Sequence, residues 1–161
     1  MKLLHKLAVF ALVLSLGLIL VGCGNKKAKV ENIEGSLEDI MTKVYANLPE
    51  DQRPMGLTNM EVNAENIEGF LGTTDIEYEE ALASESMVGS IAHSVVLVRV
   101  AKNANIEATK KAIKDNVNPR KWICVGVEED QVIVKNKGNL IILIMAAENS
   151  DKLEAGFDGL E

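Results

Sequence analysis

The side chains that could do chemistry are few and widely spaced. The chain has two cysteines, Cys23 and Cys124, and two histidines, of which only His93 lies beyond the apolar N-terminal segment. A hydrolytic triad needs a histidine beside a nucleophile and an acid, but His93 lies among valines in IAHSVVLVRVA, a pattern typical of a strand. The sequence has no G-x-S-x-G, no H-E-x-x-H and no glycine-rich phosphate-binding motif. We therefore predict no cofactor, no metal site and no catalytic residue, which favours a non-enzymatic protein.

Acidic residues cluster at Glu79-Glu80 and again at Glu128-Glu129-Asp130. Paired carboxylates can cleave glycosidic bonds, so a small hydrolase that uses these surface carboxylates is an alternative function. The second cluster could also bind calcium, although it lacks the alternating acidic spacing of a calcium loop. A run of charges in a turn is most often simply solvated, and all three interpretations stay open.

Arg120, Lys121 and Trp122 are candidates for contact with a partner, because arginine and tryptophan are enriched at binding hot spots. The alternative is that Trp122 anchors the start of a strand in the core. Cys124 follows in an apolar setting, which predicts a small buried hydrophobic residue. A reactive thiol would need a cationic neighbour, and Arg120 and Lys121 are near enough in sequence to keep that alternative.

The N-terminus has the three-part pattern of a secretory signal. Lys2 and Lys6 are followed by fifteen uncharged residues, LAVFALVLSLGLILV, and then by Gly22 and Cys23. A membrane-spanning helix needs about 20 apolar residues, and this run is shorter. An uncleaved membrane anchor is the alternative.

The stretch Leu20-Val21-Gly22-Cys23 resembles the lipobox of bacterial lipoproteins. The resemblance implies that the Cys23 thiol takes a diacylglyceryl group and that the signal is cut just before Cys23. Two or more acyl chains anchor a protein stably, at about 0.8 kcal/mol per buried methylene. The protein would then lie on the extracytoplasmic face of the cell membrane, and a lipidated Cys23 could not pair with Cys124.

Three segments follow from this interpretation. Residues 1–22 form the signal peptide, residues 23–35 a lipidated polar tether, and residues 36–161 a single α+β domain. The formal charge of −7 becomes −9 once Lys2 and Lys6 leave with the signal. Nucleic acid is excluded as a partner on this ground, because phosphate binding needs a basic surface.

Hydrophobic periodicity predicts helices and strands in alternating groups. We expect helices over 37–48 with Ser36 as N-cap, over 63–71 with Asn63 as N-cap, over 106–117 with Asn105 as N-cap, and after Ser150 as the last N-cap. Strands are predicted over 76–82, 91–101, 122–127, 131–136 and 140–147, with a loop over 51–58 and a hairpin at 136–139. The predicted fold is α+β, with a mostly antiparallel sheet of about four or five strands and three or four helices.

Three stretches also resemble a family of small lipoproteins, common in Gram-positive bacteria, that carry a domain of unknown function. They are SLEDIMTKVYANLP, SVVLVRVAKNANIEATKKAIKD and VIVKNKGNLIILIMAAENSDKLEAGF. The resemblance implies an opening helix, a strand followed by a helix, and a closing hairpin and helix. Residues 116–127 depart from the longer helix of that pattern. The family has no established active site, so the resemblance assigns no residue a role.

The sequence thus predicts a membrane-anchored, extracytoplasmic domain that binds an unknown envelope protein or a small ligand. A small envelope hydrolase and a solute-binding lipoprotein are the alternatives. The chain is short for the usual two-lobed solute receptor.

Overall fold

A five-stranded antiparallel sheet forms the middle layer of residues 32–161, the part of the chain that this computed structural model describes. The strands are β1 (Leu57–Glu61), β2 (Tyr78–Ser86), β3 (His93–Val100), β4 (Ile133–Lys137) and β5 (Leu140–Ala146), in the spatial order β1-β2-β3-β5-β4. The helices are α1 (Leu37–Val44), α2 (Ile67–Leu71), α3 (Ile106–Asn116) and α4 (Ser150–Asp158). Short 3₁₀ turns span Tyr45–Asn47, Glu50–Gln52 and Glu129–Gln131. The α+β prediction is confirmed.

Every residue of β3 and of β5 is buried, because helices or loops cover both faces of the sheet. On one face Val95, Leu97 and Ile142 pack with α1 and α4, and on the other Val96 and Leu143 pack with α2 and α3. Alternate residues of β3 therefore face opposite layers. The uniformly apolar β5, which the sequence predicts as a strand over 140–147, is a central strand, since it lies between β3 and β4.

Two helix starts follow the predicted capping chemistry. Ser36 Oγ accepts a hydrogen bond of 3.2 Å from the Asp39 backbone N–H and donates one of 2.8 Å to the Asp39 carboxylate. Asn105 Oδ1 accepts one of 3.1 Å from the Ala108 backbone N–H at the start of α3. The hairpin between β4 and β5 turns at Gly138. Its φ of 56° lies in the left-handed region, which glycine adopts more readily than residues with a Cβ.

Two other helices start at residues that differ from the predicted ones. The helix predicted over 63–71 begins only at Ile67, because Asn63 is used in a turn, where its side chain accepts from the Glu65 N–H at 2.9 Å. The last helix starts at Ser150 itself, and Asn149, at φ 58°, is its N-cap instead of Ser150.

Two strand assignments also change. Leu57–Glu61, predicted partly as loop, is the edge strand β1, whose exposed polar residues hide the strand pattern. Residues 122–127, predicted as a strand, form an irregular loop instead. Cys124 there has φ 61°, which no strand accommodates, and the Ile123 N–H donates to the Gly89 carbonyl at 2.8 Å.

Arg99, near the end of β3, holds the start of the described chain against the sheet. Its Nη1 donates to the Ile33 carbonyl at 2.5 Å and its Nη2 to the Gly35 carbonyl at 2.6 Å. Its Nε donates to Glu80 Oε1 at 2.7 Å. Ile33 is buried in the core, so the folded domain begins before Ser36 and takes up the last residues of the predicted tether.

Helices α1 and α4 approach so closely that only glycine fits at position 156. A Cβ there would lie 2.1 Å from the Val44 carbonyl oxygen. We expect Gly156→Ala to lower the free energy of unfolding by about 2 kcal/mol or more, because the two helices must separate. Chemical denaturation of the described domain measures this value.

Gly69 in α2 is the matched control, since a Cβ there meets nothing within 4 Å. Gly69→Ala should be neutral or stabilise by about 0.5–1 kcal/mol through its higher helix propensity. Equal effects of the two substitutions would contradict the close helix packing.

Candidate functional site

A cleft of about 800 Å³ opens at the end of the sheet where β3 begins and β5 ends. Four short segments line it: residues 48–54 after α1, residues 90–93 at the start of β3, Val125 and Gly126, and residues 147–149 after β5. Ligand pockets in proteins typically have volumes of about 300–1,000 Å³ and mix apolar walls with a few polar groups. The cleft has the size and the mixed lining of such a site.

His93 lines the cleft and is also anchored in the core. The residue is only 4% exposed, and its Nε2 lies 2.7 Å from the Tyr45 hydroxyl oxygen. Burial lowers the pKa of His93 to about 4 and raises the pKa of Tyr45 to about 12, so both groups are neutral at pH 7. Nδ1 makes no hydrogen bond to any residue that the structure describes. His93 therefore brings a neutral imidazole to the wall of the cleft.

Charged residues of both signs also line the cleft. Asp51 and Arg53 come from the segment after α1, and Glu148 from the segment after β5. Arg53 is positioned by hydrogen bonds of 3.3 Å from Nε to the Leu48 carbonyl and from Nη2 to the Tyr45 carbonyl. These residues could not be predicted as a site, because nothing in the sequence indicates that the segment 51–54 and the end of β5 line one cleft.

The predicted contact residues Arg120, Lys121 and Trp122 do not share one surface. Arg120 is exposed and forms an ion pair of 2.9 Å with Glu128. Lys121 points inward, where its Nζ lies 2.9 Å from Glu85 Oε2, in a pair whose side chains are only 15% and 14% exposed. Trp122 is half-buried against the core. Arg120 is therefore apart from the other two, whereas Lys121 has a structural role and its Nζ lies 5.4 Å from the centre of the Trp122 ring.

Lys121 also lies near a serine, which is a pairing known from nucleophilic catalysis. Its Nζ is 3.3 Å from Ser94 Oγ, and it packs 4.9 Å from the centre of the Phe70 ring. Burial lowers the pKa of Lys121, while the Glu85 carboxylate opposes that shift. Ser94, however, is completely buried within the sheet, so no substrate can reach its hydroxyl. The cluster stabilises the fold instead.

The two acidic clusters lie in different hollows, so the structure does not bring them together. Glu80 pairs with Arg99, and Glu79 lines a hollow of about 430 Å³ near that pair. Glu128, Glu129 and Asp130 line another of about 530 Å³. Within residues 32–161, no three histidine, cysteine or acidic side chains converge as metal ligands would. Hydrolysis and calcium binding at these clusters stay predictions.

Cys124 is exposed, and the prediction that it is buried is wrong. The irregular loop turns at this residue, and the neighbouring Ile123 is likewise 71% exposed. An apolar local sequence therefore indicated burial at a place where the backbone conformation turns two side chains outward. Cys23, the predicted lipid attachment site, lies outside the described residues.

No protein-family model, no curated protein and no solved structure matches the chain. The resemblance to small lipoproteins of Gram-positive type accordingly stays a prediction. Among residues 32–161, no helix combines the length and the apolar character needed to cross a membrane.

The buried His93 should make stability depend on pH. Burial keeps its folded pKa at about 4, below the ordinary histidine value of 6.5, so protons bind the unfolded chain first as the pH falls. The contribution of the neutral His93 to the free energy of unfolding is full above pH 6.5 and is lost progressively towards pH 4. Between pH 7.5 and pH 5 we expect the free energy of unfolding to fall by about 2 kcal/mol from this group.

Urea unfolding of wild type and His93→Gln at both pH values measures this contribution, since glutamine can still hydrogen-bond to Tyr45 but does not titrate. The wild type should lose more stability than the variant on acidification. The same pH dependence in both proteins would show that His93 does not stay neutral on folding.

Proposed function

We propose that this protein is a lipid-anchored, extracytoplasmic binding protein whose folded domain takes a small ligand in the cleft beside His93. It is non-enzymatic and acts at the outer face of a bacterial cell membrane. The observation that carries the binding function is the cleft itself, with its neutral imidazole and its charged residues of both signs.

The anchor rests on the sequence of the N-terminus. The apolar run ends in Leu20-Val21-Gly22-Cys23, and the polar residues that follow provide a tether to the folded domain. A random-coil linker of about ten residues spans on average roughly 17 Å. This distance would keep the domain close to the bilayer surface while leaving it free to rotate.

Binding without catalysis fits the surroundings of His93. The imidazole contacts a tyrosine hydroxyl, and neither a carboxylate nor a nucleophile among residues 32–161 hydrogen-bonds to it. A pKa of about 4 also makes it a weak general base at neutral pH. The group can accept or donate a hydrogen bond to a ligand at no cost in ionisation.

The anchor is tested by expressing the Cys23→Ala variant in a bacterium that processes lipoproteins. We expect this variant to remain an unprocessed precursor and to take up no labelled fatty acid, because no thiol then follows the apolar run. Electrophoresis with autoradiography measures both effects. Cys124→Ala is the matched control and should be processed and labelled normally; a labelled Cys23→Ala protein would rule out the lipid anchor.

The cleft is tested by filling it. Ala147 is exposed at the cleft, so Ala147→Trp should occupy the cleft without disturbing the core, whereas Ala108→Trp places the same side chain on the exposed face of α3. A saturating ligand stabilises a protein by about 2.7 kcal/mol at 100 times its Kd. In thermal unfolding against a set of solutes, compounds that stabilise wild type should also stabilise Ala108→Trp and fail with Ala147→Trp. Equal stabilisation of both variants would place the binding site elsewhere.

A further inference from the structure

We infer that the cleft takes a zwitterionic ligand of the amino-acid or short-peptide class, with a free ammonium group and a free carboxylate. This inference rests on the proposed function of the cleft and adds the chemistry of its ligand.

The first argument is the pattern of charges. Asp51, Arg53 and Glu148 line one cleft, and none of them forms an ion pair with another residue among 32–161. All three side chains are exposed, so a ligand in the cleft can reach each of them. A ligand with one positive and one negative group satisfies both signs of charge, whereas a ligand with a single charge meets a like charge at the same cleft.

The second argument is the position of Arg53. Its bonds to the Leu48 and Tyr45 carbonyls use one hydrogen on Nε and one on Nη2. The remaining N–H groups on Nη1 and Nη2 form the fork that binds a carboxylate through two parallel hydrogen bonds. The two contacts to backbone carbonyls hold the guanidinium in place before the ligand arrives, which reduces the entropy lost on binding.

The third argument is the rest of the lining. His93, which lines the cleft, adds a neutral imidazole whose Nδ1 has no hydrogen-bond partner among residues 32–161. Short aliphatic side chains make up the apolar part: Leu48, Pro54, Ile91, Ala92, Val125 and Ala147. This combination suits the backbone and the small side chains of a short peptide, and a volume of about 800 Å³ exceeds that of one amino acid.

The same zwitterionic chemistry occurs in the ethanolamine headgroup of a phospholipid, and the chain's own geometry separates the two sources. Arg99 holds residues 33–35 near the end of β3, whereas His93 begins that strand. Six residues of strand separate them, which is roughly 20 Å. The cleft thus lies at the opposite end of the sheet from the tether, which favours a free ligand over a headgroup of the anchoring bilayer.

The experiment is isothermal titration of the full-length protein in detergent micelles with three peptides. Alanyl-alanine carries both charges, N-acetyl-alanyl-alanine lacks the ammonium, and alanyl-alanine amide lacks the carboxylate. We expect the unmodified dipeptide to bind at least about tenfold more tightly than either blocked form.

Variants assign each charge to its partner. Arg53→Gln should remove the advantage of the dipeptide over the amide, and Asp51→Asn combined with Glu148→Gln should remove its advantage over the N-acetyl form. Arg120→Gln with Glu128→Gln is the matched control, because this exposed pair lies outside the cleft. It should leave all three affinities unchanged.

Equal affinity for the three peptides, or no binding of alanyl-alanine up to about 10 mM, would overturn the zwitterion assignment. The proposed function is judged separately, by whether Ala147→Trp abolishes the stabilisation produced by any other solute. Binding to vesicles that contain phosphatidylethanolamine is the last measurement. If they bind in an Arg53-dependent way while the dipeptide does not, the assignment to a free peptide is overturned in favour of a lipid headgroup.

Discussion

The fold depends on the burial of both faces of β5 away from solvent. Its seven residues, LIILIMA, are all apolar and all buried, so a sheet with one face in water could not contain this strand. Burying one such side chain is worth about 1.5–3 kcal/mol, and the whole strand supplies a large part of the driving force for folding. Helices α1 and α4 must therefore cover one face while α2, α3 and the loop after α3 cover the other.

This covering also decides where a ligand can bind. With both faces of the central strands occupied, the open surfaces near the sheet are its edges and the ends of its strands. The cleft lies at one of those ends, where four connecting segments meet around His93. His93 begins β3, the charged residues of the cleft come from connecting segments, and the buried sheet fixes the positions from which those segments start. The Tyr45–His93 hydrogen bond joins α1's end to β3 and so ties one wall of the cleft to the sheet.

The elements that could be predicted are those whose signal is local. Three such elements are recognisable from about ten residues of sequence each: α1 with Ser36 before its amphipathic pattern, the valine-rich β3 and the apolar β5. The edge strand β1 could not be identified, because its pairing with β2 comes from backbone hydrogen bonds and its side chains are mostly polar. Cys124 was misjudged for a related reason, since its exposure follows from a backbone turn set by contacts with Gly89. The cleft brings residue 51 beside residue 148, a juxtaposition that only the complete topology creates.

Arg99 has a mechanical consequence under the proposed N-terminal anchor. A pull on that end of the chain would reach the described domain first near the Ile33 and Gly35 carbonyls, which both accept hydrogen bonds from this one guanidinium. Arg99 belongs to β3, which is paired along its length with β2 and β5, so the force passes into the middle of the sheet and bypasses the short helix α1. Ladders of backbone hydrogen bonds on both sides then share the load. The salt bridge to Glu80 keeps the guanidinium oriented, and the cleft, at the far end of β3, would lie away from the strands that first bear a load on the proposed anchor.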